Sequence, residues 1–419
     1  MTLVGRKRSG RNAKLKVRGI ERQEEIMGLL KALHDGLLRL AQLERRFDPF
    51  CRPLFDALFR EPLTRATQVL INARRRPEGL GIAEERAVPG EEACIASIIA
   101  DMGEYMREQY TPGHYERAGN TKTHGVVRGT FVVRDDVPAQ LRHGVFFRPH
   151  SFRAWVRFAG PGPASPQDID DVGVLSFGIK LMGVPGPKLL DEQFTQDFTG
   201  ISTPTFTTPN VVENRKLQIA VRRGTPLFYF INPFDSHLLD GMMQGLWART
   251  QHSPLETDYW SCVPYLLGEG RAMQYTLRPR TRQRSRIPRL PFRPDDNYLR
   301  RNMAATLSRE DVEFDFLIKL QTDSFAMPIE NASVRWPDSP SPWTPVATLR
   351  LPRQTFDSPA QLAFANNLSY NPWHCIAEHR PLGNQNRGRR VIYETLSRLR
   401  QTMNATPHVE PTGDEVFDV

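Results

Sequence analysis

Gly388-Arg389-Arg390-Val391-Ile392-Tyr393-Glu394-Thr395-Leu396-Ser397-Arg398-Leu399-Arg400 reads as one helix, with no Gly or Pro after Gly388. At about 100° per residue, Arg389 and Arg400 fall within about 40° of Tyr393 on the helix surface. A tyrosine bracketed by arginines on one face departs from the usual amphipathic pattern. Two readings fit it. The simpler is a tyrosine packed on a basic, solvated helix. The other is a phenolate ligand to ferric iron. A free phenol has a pKa near ~10, so a fixed cation beside it is needed to favour the anion. A second arginine two turns on would then hold a haem propionate. On these residues alone the simpler reading is favoured.

The pattern Arg-x-x-x-Tyr followed by Arg398 and Arg400 resembles the proximal haem motif of the catalase family, in which tyrosine ligates iron. The resemblance implies that Tyr393 is the axial metal ligand of a haem b. It implies too that Arg389 supports the tyrosinate and that Arg400 contacts a propionate. Far upstream, Thr121-Lys122-Thr123-His124-Gly125-Val126-Val127-Arg128-Gly129-Thr130-Phe131 reads as a histidine at the mouth of a strand. It is similar to the family's distal-histidine segment, with His124 at the matching position. The chemistry needs a group that takes a proton from one peroxide oxygen and delivers it to the other, which a neutral imidazole does near pH ~7. Thr123 stands where ordinary catalases carry an aliphatic residue. Allene oxide synthase-like members, which act on fatty-acid hydroperoxides, carry threonine there. The segment Phe152–Ala159 resembles the family's Val-Arg-Phe strand and makes Arg157 another propionate contact, a planar fork suited to a carboxylate.

Gln196-Asp197-Phe198-Thr199-Gly200-Ile201-Ser202-Thr203-Pro204 resembles the segment that carries the distal asparagine, but Ile201 occupies that position. Ser202, Thr203 or Asn210 is left to supply a replacement hydrogen bond. Loss of one such donor costs on the order of a hundredfold in rate, which argues against an efficient catalase and suits a bulky apolar substrate. Asn371-Pro372-Trp373-His374 and His379-Arg380-Pro381-Leu382-Gly383 look like the small bacterial and fungal branch of the superfamily. His374 and His379 suggest a metal pair less readily than a structural role. The resemblance spans roughly residues 120–403.

The rest of the chain is read from pattern. Residues 20–115 form a helical N-terminal region. Ile26, Leu29, Leu30, Leu33, Leu37 and Leu40 recur at spacings of three and four, which predicts a buried face. Residues 116–352 carry short alternating strands separated by Gly/Pro-rich turns, the texture of an antiparallel barrel. A helix is expected at Ser236–Thr250. Residues 353–419 return to helix, with Ser358-Pro359 as its start signal. The expected class is α+β: a catalase-like antiparallel β-barrel core with N- and C-terminal helices.

Of the 419 residues 39% are hydrophobic, enough for a large core, and the net charge is +9. Residues 1–19 hold seven basic side chains and no acid, and read as a disordered basic tail. The tail lacks aromatics and a clear amphipathic period, so no nucleic-acid partner is expected. Seven arginines lie between Arg278 and Arg293. They read as a solvated loop, or more sharply as a weak contact for an anionic membrane surface or fatty-acid carboxylates. Four dispersed cysteines, without a CxxC pair, point to a reducing, cytoplasmic setting. No apolar run approaches a membrane span.

The expected function is haem-dependent metabolism of a hydroperoxide substrate, organic or fatty-acid first. The alternatives are a hydrogen peroxide catalase or peroxidase of low activity, and a non-catalytic catalase-fold haem-binding protein. Homo-oligomerisation is left open.

Overall fold

In the computed structural model, residues 5–281 and 284–417 are described. The chain opens with α1 (Gly5–Phe55), which contains Pro49 and Pro53. A π-helical stretch (Asp56–Arg60) joins it to α2 (Glu61–Arg74), and α3 (Glu91–Gln109) follows. Residues 5–19, expected as disordered tail, are the first turns of α1, and residues 1–4 lie outside the described residues. The interruption falls where prolines remove the backbone donors that an α-helix needs.

Four strands come next: β1 (Thr123–Val133), β2 (His150–Ala159), β3 (Ser176–Leu181) and β4 (Gln196–Ile201). Three helices then intervene: α4 (Val211–Arg222), α5 (Leu227–Ile231) and α6 (Leu238–Trp247). After β5 (Tyr259–Trp260), β6 (Tyr265–Leu266) and β7 (Ala272–Pro279) comes α7 (Tyr298–Leu307). The sheet ends with β8 (Val312–Leu320) and β9 (Thr344–Leu351), and the chain with α8 (Pro359–Asn367) and α9 (Asn384–Met403).

All pairings are antiparallel. β9 pairs with β1 and β8, and β5 bridges β4 to β7, so eight strands close into a barrel with β6 appended to β7. Closure removes the exposed edges of an open sheet. Aromatic side chains fill the interior. Phe316 sits 5.2 Å from Phe131 and 5.0 Å from Phe198, ring centre to ring centre, both edge-on. The barrel is thus a packed core. Chemistry is confined to its rim and the helices there.

The leucine face predicted to be buried on α1 is largely exposed: Leu29 is 73% exposed and Leu33 53%, with Leu30 and Leu40 also in solvent. The side chain of Ile26 lies outside the described residues. A polar face of α1 docks instead. Asp48 accepts from the Thr250 amide at 2.6 Å, and the Thr250 hydroxyl donates to the Arg45 carbonyl at 2.7 Å. Periodicity identified the stripe correctly but could not say what covers it. Part of the arginine run is held in ion pairs, with Arg280 on Asp315 and Glu313. Residues 282–283 of that run lie outside the described residues.

Candidate active site

His124 is the extra residue of a β-bulge. Thr123 pairs with Ala159 and Gly125 with Phe158, so His124 faces no partner across the ladder. A bulge re-aims one side chain without disturbing the rest of the strand. Gly125 lets the strand pass close to Phe356, whose ring would lie 2.4 Å from a Cβ there. The His124 side chain is buried, at 1% exposure, and its Nε2 makes no hydrogen bond. Nδ1 lies 3.8 Å from Asp168 Oδ1. Burial, then the positive charges of Lys122, Arg300 and Arg157, hold its pKa well below the usual value. The imidazole is therefore neutral and able to accept a proton at Nε2.

The Thr123 hydroxyl oxygen accepts from Arg157, at 2.7 Å from Nη2 and 3.2 Å from Nε. That leaves its hydrogen to donate elsewhere. Arg157 belongs to a group of buried arginines. Arg157 donates to the carbonyls of Asn120 and Thr121. Arg117 and Arg400 converge on the last carbonyls of α8, both donating to Leu368 O. All hydrogen bonds of the three go to carbonyl, amide or hydroxyl oxygens, none to a carboxylate. Burial first, then their mutual repulsion, holds Arg157 and Arg400 well below the usual arginine range. Burial brings Arg117 down to about 10. Buried cations without counter-charge are costly. Carboxylates supplied from outside the chain would offset such a group.

Across this region lies α9. The Tyr393 phenol accepts from Arg389 Nε at 3.2 Å, and the guanidinium carbon lies 5.1 Å from its ring centre. Arg389 also reaches Tyr265 at 3.3 Å, Asn386 at 3.0 Å and Thr199 of β4 at 2.6 Å. Burial works against its charge, but Tyr393, Tyr265 and Tyr275 more than offset this and raise its pKa. A permanent cation is thus bonded to the phenol oxygen. The ring of Tyr393 packs against an apolar cluster from α3, α4 and α9 that includes Ile98, Val211 and Leu396. Seven residues on, about 10 Å along the helix, Arg400 joins the Arg117–Arg157 group. So α9 reaches β4 through Arg389 and the β1–β2 end through Arg400.

Ile201 ends β4 and pairs with Trp260. The three suggested replacements for the distal amide are otherwise engaged. Ser202 Oγ accepts from the Leu175 amide, Thr203 Oγ1 donates to the Thr205 carbonyl, and Asn210 caps α4 by accepting from the Glu213 amide. His374 and His379 do not form a pair. His379 Nε2 accepts from the Val145 amide at 3.0 Å. His374 sits in a buried ionic cluster, with Nδ1 at 2.8 Å from Asp197 and Nε2 at 3.0 Å from Asp191. Lys180 lies at the centre of that cluster, bonded to Glu192 and 2.8 Å from Asp197 Oδ1. The metal reading of these histidines gives way to a structural one because a lysine already supplies the cation.

Sequence reading missed Arg117, Asp168 and Arg300. Arg117 and Asp168 lie in turn-rich stretches without periodicity, and only the fold brings them to His124 and Arg157.

The residues present fit a haem: a cation-bonded tyrosine, an unpartnered buried imidazole, and three buried arginines lacking carboxylates. No protein-family model and no curated protein sequence matches the chain. Solved structures do. A bacterial catalase superposes with a TM-score of 0.53 at 15% identity, over 84% of this chain and 75% of its own. A fungal catalase superposes with a TM-score of 0.51 at 14% identity, over 82% and 69%. Identity this low speaks to architecture and not to activity. The closed eight-stranded barrel with its flanking helices has the catalase fold.

Proposed function

We propose that the chain is a haem-dependent enzyme acting on hydroperoxides, with organic or fatty-acid hydroperoxides as the preferred class. The carrying observation is the buried, carboxylate-free group of Arg117, Arg157 and Arg400 on the path between His124 and the Tyr393 helix. In this reading Tyr393 would hold iron with Arg389 bonded to its oxygen, and the arginine group would pair with the propionates of a haem b. When bound, the haem supplies a ferric centre for peroxide chemistry. His124 accepts the hydroperoxide proton at Nε2 and returns it to the departing oxygen. Thr123, fixed by Arg157, offers its hydroxyl hydrogen beside that imidazole. Ile201 presents alkyl surface where an amide would have polarised a small peroxide, which favours a substrate with a hydrocarbon chain.

Ile201 also supports the second reading, a low-activity hydrogen peroxide catalase or peroxidase, or a haem carrier without turnover. Oxygen release from hydrogen peroxide, measured beside consumption of a fatty-acid hydroperoxide, separates them. Rapid oxygen release sinks the first choice. Tyr393→Phe should lose the ferric tyrosinate absorption. Identical spectra for wild type and variant, with haem in both, would show that the ligand is assigned wrongly.

The exposed leucines of α1 support self-association, since contiguous apolar surface of this kind marks interfaces. Light scattering should show an oligomer that Leu33→Glu weakens, and a monomeric wild type rejects this. The cytoplasmic reading rests on four cysteines that are all free thiols. Among the described residues no helix is long and apolar enough to cross a membrane.

A further inference from the structure

A second group of side chains lies on the helical insertion, formed by α4, α6 and the turn leading into α6. Glu213 comes from the first turn of α4, where Asn210 caps the helix. Asp235 and His237 come from the turn before α6. His237 Nε2 lies 3.1 Å from Glu213 Oε2 and 3.5 Å from Asp235 Oδ1, and the three ligand atoms lie within 4.8 Å of one another. Neither Nε2 nor Oε2 makes a hydrogen bond despite the 3.1 Å approach. A histidinium bonded to the carboxylate would aim its N–H at the oxygen. Here the angle is wrong for that bond, and both atoms are left without a partner. Metal–ligand bonds of about 2.05 Å at the tetrahedral angle put ligand atoms about 3.3 Å apart, close to the two distances from His237 Nε2.

The surroundings suit a cation. Lys216 bonds the other oxygen of each carboxylate, Glu213 Oε1 at 3.0 Å and Asp235 Oδ2 at 2.7 Å, which leaves Oε2 and Oδ1 for a further partner. On the far side of the imidazole, Asp240 Oδ2 lies 3.5 Å from Nδ1. A carboxylate behind a ligating histidine fixes its tautomer and raises its basicity. Tyr229 stacks on the imidazole, ring centres 4.2 Å apart and planes within 5°. The Tyr229 hydroxyl is unpartnered on a residue only 6% exposed. Glu213 and Asp235 share a single lysine, Lys216. The other histidine–carboxylate cluster differs, because Lys180 fills its centre.

We propose that Glu213, Asp235 and His237 bind a divalent transition-metal ion, zinc as first choice, with the fourth position taken by water. One histidine and two carboxylates suit zinc, and the ion would tie the turn before α6 to the start of α4. This site is independent of the haem reading.

The test uses the full chain with any affinity tag removed, stripped with a chelator and titrated with zinc against a chromophoric chelator. Wild type should bind one equivalent, and zinc should raise its melting temperature. Glu213→Gln and His237→Gln should lose that equivalent, and Asp240→Asn should weaken it about tenfold or more. If His237→Gln does not fold, Asp235→Asn, on a half-exposed side chain, makes the same comparison. Wild type without a zinc equivalent overturns the proposal, as does equal affinity in wild type and the ligand variants.

Discussion

Replacing His124 by alanine is expected to cut hydroperoxide turnover by roughly a hundred- to ten-thousand-fold, the usual contribution of a positioned acid–base group. Haem content should persist, because the groups assigned to hold it lie on α9, on β2 and at Arg117, and not on His124. The bulge at His124 aims an imidazole that makes no competing hydrogen bond at Nε2. Its depressed pKa adds a pH signature. The neutral form is the working base, and it survives acidification past the ordinary histidine value. As pH falls through about 6.5, kcat/KM should therefore stay level, declining only at lower pH. A His124→Ala enzyme with unchanged kcat, or a wild-type profile that breaks near the ordinary value, would remove His124 from the proposed chemistry.

Replacing Lys180 by methionine is expected to destabilise the fold by about 3–5 kcal/mol, the range for removing one partner from a buried ionic group. Lys180, Glu192 and Asp197 have no exposed side-chain surface. Methionine keeps the length but leaves Glu192 and Asp197 with His374, and no lysine, to offset their charge. The same cluster sets a pH dependence. Burial and Lys180 oppose charge on His374, yet the hydrogen bonds it donates to Asp191 and Asp197, and the charge of Glu192, raise its pKa to about 9. A folded-state value above the unfolded one adds stability that is complete below about pH 6.5 and lost as pH rises through about 9. Asp191, held at about 2, stays ionised across that window and adds no slope of its own. Denaturant melts at rising pH should show stability falling between those limits, with a flatter curve in His374→Gln. A loss below about 1 kcal/mol in Lys180→Met would mean that water enters the cluster, since surface ion pairs are worth that little.

The barrel was legible where apolar and polar residues alternate. Val126–Val133 and Phe152–Phe158 announce β1 and β2. β4 was visible only as a motif, because its six residues are polar or small except Phe198 and Ile201. The two-residue strand β5 that closes the barrel, and β6 appended to it through β7, carry no pattern at all. Tyr393 and Arg389 share a helix, so their contact followed from spacing, and the structure adds the 3.2 Å bond. The arginine group was half legible. Arg157 and Arg400 sit in recognisable segments, whereas Arg117 precedes the strand in an irregular stretch. The Lys180 cluster joins residues from four separate segments, and only the fold can assemble it. In the helical insertion a signal was present: Asp235-x-His237-x-x-Asp240 is a dense run of metal-ligand types.

The leucine face of α1 carries one further consequence, for temperature. Apolar burial is driven largely by entropy near room temperature and weakens on cooling. An assembly joined by Leu29, Leu33 and Leu40 would tighten on warming and loosen on ice. The cold room is then the place to find the subunit alone.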